Sequence, residues 1–342
     1  MARERIVSAA EVPADAEPST AALRPGRIGE YVGQRDLVER VRIAIEAAKG
    51  RSDPMEHVLL HGPPGLGKTT LAHVIAAEMG TRAYVTSGPA LTKAADLIGT
   101  LTKMQAHDVL FIDEIHRLPT AVEEYIYPAM EDFRIDFTVD GGMHSKVVTI
   151  GLRPFTLIGA TTRAGLLTQA LRSRFGIAHN LGFYPHDDLV AILRRAAGLM
   201  GIDGLPAETL HALAERSRGT PRVALRLLRR VRDFGQVRGN GSMGRATVDG
   251  ALELEGIDAR GLDELDRRYM RVLATTYRGG PAGLEAIAAS VGEDAQTLED
   301  VVEPYLLQVG FLARTRQGRR LTDAAFLHLG IEPPTGRAEL FE

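Results

Sequence analysis

The sequence contains neither cysteine nor tryptophan in its 342 residues. That excludes disulfides and thiolate-held metals, and it suits a reducing, cytoplasmic setting. No H-E-x-x-H arrangement occurs among the ten histidines, and no His/Asp/Glu cluster has metal-ligand spacing. No apolar stretch approaches the roughly 18 residues needed to span a bilayer, and residues 1–20 lack the apolar segment of an export signal. A large charge of one sign is also missing, since the chain nets −3. The expectation is a globular protein with no membrane partner. At 44% hydrophobic and 25% charged it has material for two or three packed domains. Charge is concentrated only locally: residues 216–232 hold seven arginines and residues 314–320 four, both without an acid.

The strongest pattern present is Val58 to Thr70, where a short apolar run enters Gly62-Pro63-Pro64-Gly65-Leu66-Gly67-Lys68-Thr69-Thr70 and a helical pattern follows. A G-x-x-x-x-G-K-T loop between strand and helix cradles phosphates: the glycines let backbone N–H groups approach an anion at a helix N-terminus. Lys68 then reaches the β- and γ-phosphates, and Thr69 ligates Mg²⁺. Strand-like and helical segments alternate up to residue 180, which predicts a parallel, doubly wound sheet. A second apolar run, Val109 to Ile112, ends in Asp113-Glu114, at the strand end where open α/β sheets bind ligands. Asp113 is read as the second Mg²⁺ ligand and Glu114 as the base that polarises the attacking water. A third run, Thr156 to Ala160, brings Thr161 or Thr162 to the same edge as a partner for the γ-phosphate or the water.

These motifs, with Phe111 to Leu118, Tyr127 to Phe133 and Gly159 to Gly165, resemble the RuvB family of Holliday junction branch-migration ATPases within the AAA+ class, over about residues 23–334. The resemblance implies a homohexameric ring that hydrolyses ATP with Mg²⁺ to pump duplex DNA, together with RuvA and RuvC. It further implies nucleotide contacts from Leu23, Arg24, Gly65, Gly67, Thr70, Glu131, Asp132, Phe133 and Tyr184. Arg174 resembles the arginine finger that reaches the neighbouring subunit's γ-phosphate, and Arg222, after Pro221 at a helix start, resembles the sensor arginine of AAA+ lids.

Residues 133–150 alternate apolar and polar around Asp140-Gly141-Gly142, which predicts a β-hairpin. The alternation alone fits an edge hairpin of the core sheet; the resemblance makes it the docking element for RuvA, through exposed members among Ile135, Phe137 and Val148. Arg226, Arg229, Arg230 and Arg232 are expected on a solvated or intersubunit face, and 235–244 as a flexible loop. Three helical patterns after residue 261, followed by a basic hairpin, predict a winged helix. Residues 261–342 carry thirteen acids and nine bases, so the positive charge is confined to the wing, where Arg314, Arg316 and Arg319 are the expected phosphate contacts. Arg316-Gln317 stand where the family usually has Pro-Arg, and Thr92 and Ala95 where Glu and Gly are usual. The expected division is an arm (1–20), a large ATPase domain with the inserted hairpin (21–184), a helical lid (185–257), the winged helix (258–334) and a tail (335–342). Two rivals remain at this level: another AAA+ machine such as a remodeller or clamp loader, and a nucleotide-switched DNA-binding regulator.

Overall fold

A computed structural model describes residues 22–139, 146–202, 204–239 and 241–334. The arm at 1–20, the turn at 140–145 and the tail at 335–342 lie outside the described residues. The first third of the chain runs through α1 (Arg35–Arg51), β1 (Val58–His61), α2 (Lys68–Met79), β2 (Ala83–Ser87), α3 (Ala94–Leu101), β3 (Val109–Asp113) and α4 (Thr120–Glu131). The hairpin β4 (Arg134–Val139) and β5 (Lys146–Gly151) follows, then β6 (Thr156–Thr161), α5 (Gln169–Arg172) and β7 (Ile177–Asn180). Five strands form one parallel sheet in the order β2-β3-β6-β1-β7, as the alternating pattern predicts. The two edge strands, β2 and β7, are the ones that the sequence patterns did not single out.

Side-chain alternation explains why these strands read as continuous apolar runs. Val58, Leu60, Val109, Phe111, Ile158 and Ala160 pack into one core, beside α1 and α2. Leu59, Leu110, Ile112 and Leu157 point the other way, into a core with α3 and α4. With both faces of the central strands covered, the carboxyl edge of the sheet is left open, where His61 pairs beside Thr161 and Ser87 beside Asp113.

The lid comprises α6 (His186–Leu199), α7 (Ala207–Glu215), α8 (Pro221–Arg238) and α9 (Arg245–Leu254). Its apolar stripe, including Leu189, Leu193, Leu213, Leu227 and Val231, joins the first core, so sheet and lid share one apolar interior. The expected loop at 235–244 is corrected at its start, because α8 continues to Arg238. A side chain at buried Gly235 would meet Ser242 O at 2.8 Å, so glycine there lets the returning chain pack on the helix, and that packing outweighs glycine's weak helix propensity.

The final unit contains α10 (Glu264–Thr275), α11 (Leu284–Val291), α12 (Ala295–Thr297), a π-turn (Leu298–Val302), α13 (Glu303–Gln308), wing strands β8 (Leu312–Thr315) and β9 (Gly318–Leu321), and α14 (Asp323–Leu329). It has its own core around Tyr269, Leu306 and Phe326. Arginines join it to the rest: Arg218 of the lid reaches Asp263 and Asp266 at 2.8 and 2.6 Å, and Arg163 of the ATPase unit reaches Glu299 and Asp300.

The predicted hairpin forms, with Ile135 opposite Ile150 and Phe137 opposite Val148. Ile135 is buried in the second core, so it is not among the exposed members of the trio. Farther along the hairpin, Phe137 and Val148 are half-buried.

Candidate nucleotide site

The phosphate loop forms the floor of a cleft of about 560 Å³ between the sheet edge and the lid. Gly65 has φ +83°, and a Cβ there would stand 2.7 Å from Thr220 and 3.0 Å from Arg222, so the lid closes directly on the loop only because the position is glycine. Arg222 donates its backbone N–H to Gly65 O at 3.3 Å. Pro221 occupies the first turn of α8 as predicted, and Arg222, beside it, lines the cleft. Two tyrosines buttress the loop from behind: Tyr31 and Tyr184 hydroxyls meet at 3.2 Å, and Tyr184 donates to Leu66 O at 3.1 Å.

Lys68 is buried at the N-terminus of α2 and donates to Gly62 O and Pro63 O at 2.7 and 2.9 Å. Burial lowers its pKa to about 8, against the opposing pull of Asp113 and Glu114, while Arg222 adds repulsion. Its partners are neutral carbonyls, so a phosphate can take the ammonium from them without leaving a buried charge unpaired. Thr69, Thr70, Gly65, Gly67, Asp113, Glu114, Leu23, Arg24 and Tyr184 all line the same cleft. The hydroxyls of Thr69 and Thr70 and the carboxylates of Asp113 and Glu114 give the cleft oxygen donors of the kind that suit Mg²⁺ shared with substrate phosphates.

Asp113 accepts the Glu114 backbone N–H at 3.0 Å, and Glu114 adopts a left-handed φ of +48°. That turn faces its carboxylate toward His116, whose Nδ1 lies 3.3 Å away, and toward Thr162, whose hydroxyl is 3.5 Å away. The two threonines are placed differently. Thr161 is fully buried, with its hydroxyl 2.8 Å from His116 Nδ1 and accepting the Arg163 N–H at 2.9 Å, whereas Thr162 lines the cleft.

Four expected residues are not at this cleft. Glu131, Asp132, Phe133 and Arg174 sit together elsewhere: Arg174 pairs with Glu131 at 3.2 Å, donates to Ala170 O and stacks 4.4 Å above the Tyr127 ring. Conversely, Arg195, Arg226 and Arg229 line the cleft without having been singled out for it. Arg226 and Arg229 therefore do not belong to a purely solvated face, and Arg232 is buried against Asp233 at 2.7 Å while Arg230 pairs with Glu255. Helical periodicity marks which face of α8 is apolar but not what lies opposite the polar one.

In the wing, two of the three expected phosphate contacts are ion-paired within the domain. Glu303 is fully buried and accepts from Tyr269 (2.9 Å), from Arg314 Nε (2.8 Å) and from Arg319 Nε (2.9 Å). Arg314 and Arg319 thus pin the two wing strands to α13 rather than standing free. Arg316, at the turn, is exposed and has no ion pair among the described residues.

Comparison with known proteins follows the same division. Residues 23–181 match a model described as the Holliday junction DNA helicase RuvB P-loop domain, 184–258 the RuvB AAA lid domain and 259–330 the RuvB C-terminal winged helix domain. The chain belongs to the RuvB family. Among RuvB relatives, the Holliday junction branch migration complex subunit of Kosmotoga olearia is 53% identical over 326 residues, covering 95% of each chain. That of Desulfosudis oleivorans is 56% identical over 310 residues, covering 91% of this chain and 90% of the relative. The solved Thermotoga maritima RuvB Holliday junction branch migration motor superposes with a TM-score of 0.83 at 49% identity, covering 91% of this chain and 99% of that one.

Proposed function

We propose that this RuvB-family chain is an ATP-hydrolysing motor that drives duplex DNA through Holliday junctions, working in the cytoplasm as a homohexamer with RuvA and RuvC. The observation that carries the reading is the cleft itself, in which Lys68, Asp113, Glu114 and the lid's Arg222 converge from separate elements. Lys68 leaves its two carbonyls for the β- and γ-phosphates, while the N–H groups at the start of α2 hold the same anion. Thr69 and Asp113 would hold Mg²⁺, which neutralises charge on the transferred phosphoryl group. Glu114 accepts the proton of the attacking water, with Thr162 beside it, and Arg222 ties the lid to the phosphates.

The separate placement of Arg174 and Glu131 supports a role in trans, in which this surface completes a neighbour's cleft and Arg174 acts there as arginine finger. Phe137 and Val148 form the proposed RuvA-docking face, and Arg316 the proposed phosphate contact. Units at 21–184, 185–257 and 258–334 are the working division of the motor. The direct test is ATP-dependent dissociation of a synthetic four-way junction, with RuvA added. The expected outcome is migration that needs both ATP and an intact Lys68; junctions left unresolved while ATP is consumed would refute the motor reading.

A further inference from the structure

A second concentration of charge lies where the ATPase sheet meets the winged helix. Arg163, just beyond β6, directs Nε and one Nη to Asp300 Oδ1 at 3.1 and 2.9 Å and reaches Glu299 Oε2 at 3.1 Å. Both acids belong to the π-turn Leu298–Val302, a rare winding that concentrates at functional positions. On its other side, the backbone N–H of Arg163 holds Thr161 Oγ1, which lies 2.8 Å from His116 Nδ1, and His116 lies 3.3 Å from Glu114. Beyond the acids, Glu299 Oε1 stands 3.5 Å from Arg319 and 3.8 Å from Arg314 in the wing. Polar contacts therefore run without a break from the hydrolytic carboxylate to the DNA-facing hairpin.

A tether serving only to hold two domains together could attach anywhere on their surfaces. This one attaches to the residue whose own N–H fixes Thr161. The side chain of His116 is only 5% exposed, and burial holds its pKa below the ordinary value while Glu114 and Asp300 raise it and Arg163 lowers it. The field of the winged-helix acid thus reaches the group that touches Glu114. Glu114 itself sits on a left-handed backbone with its carboxylate beside His116, so small displacements of His116 and Thr161 move the carboxylate, and misplacement of about 1 Å at such a group is costly to the rate.

We propose that Arg163 is a positioning residue through which the winged-helix domain, by Glu299 and Asp300, sets Glu114 and makes ATP hydrolysis respond to duplex DNA at the wing. The inference rests on the motor reading above. A phosphate drawn to Arg316 at the wing turn alters the field at the neighbouring Arg314 and Arg319, and with it the charge that Glu299 shares between them and Arg163.

The test measures ATP turnover of the full chain with and without saturating linear duplex, together with duplex affinity. Asp300→Arg and Arg163→Asp are each expected to reduce the stimulation by DNA about fivefold or more. Asp300→Arg should leave duplex affinity intact, and the exchange Arg163→Asp with Asp300→Arg should recover most of the stimulation. Asp300→Asn, nearly isosteric, guards against misfolding of the reversal and should also lose stimulation. Wild-type stimulation in Asp300→Asn or Asp300→Arg, or an exchange no better than its parts, overturns the coupling. A wild-type chain whose hydrolysis ignores DNA overturns the motor reading and the coupling together, and does so without any substitution.

Discussion

The phosphate loop and the wing each display cations that a sequence reader assigns to phosphate, yet the two regions satisfy those cations in opposite ways. Lys68 is held by two neutral carbonyls, whereas Arg314 and Arg319 share a fully buried carboxylate. A carbonyl surrenders a cation cheaply because no charge is stranded, but a buried carboxylate does not. The difference teaches that a cation's availability is set by what already holds it, not by its place in a motif.

The sharpest way to isolate the catalytic half is to remove the base and leave the cations untouched. Glu114→Gln should lower steady-state phosphate release by about 10² to 10⁴-fold while nucleotide binding, followed by a fluorescent ATP analogue, persists. Near wild-type turnover in that variant would remove Glu114 from its role.

On the wing side the key is the acid. Glu303→Ala removes the buried acceptor shared by Tyr269, Arg314 and Arg319 and should destabilise the winged helix by about 3 kcal/mol, seen as an earlier denaturant transition with weakened duplex binding. An unchanged unfolding curve would show that the arginines find water as readily as Lys68 finds carbonyls, and the contrast would fail.

The carbonyl cradle predicts a pH dependence. Burial lowers the Lys68 pKa to about 8, and a bound phosphate must raise it, so binding takes up a proton above that pH. Nucleotide affinity should be level below pH 8 and fall about tenfold per unit above it. Equilibrium titrations from pH 7.5 to pH 9.5 read this directly, and a flat profile would mean that Lys68 keeps its proton regardless.

The smallest effect belongs to the exposed tip. Arg316→Ala should shallow the slope of log K against log salt for duplex by about 0.9, equally for unrelated sequences. If Arg316→Ala leaves the slope unchanged while Arg314→Ala shallows it without loss of stability, the pairing with Glu303 is not what withholds the wing arginines.

The sequence by itself determined everything that local chemistry dictates. The loop from Gly62 to Thr70 needs particular backbone freedom and a helix start immediately after it, so its function is written in adjacent residues. The parallel sheet was legible because strands covered on both faces must be apolar throughout, and the hairpin because its alternation extends from Ile135 to Phe137 and from Val148 to Ile150. Tertiary structure decided the rest, wherever the partner lies far along the chain. Thr161 rather than Thr162 turns inward because His116, from another strand's end, waits for it. Arg226 and Arg229 face the nucleotide cleft because the lid folds back on the loop, and Arg314 and Arg319 are committed to Glu303, which no spacing rule connects to them. An electrostatic role depends on distance and burial, and both are properties of the folded chain rather than of its order.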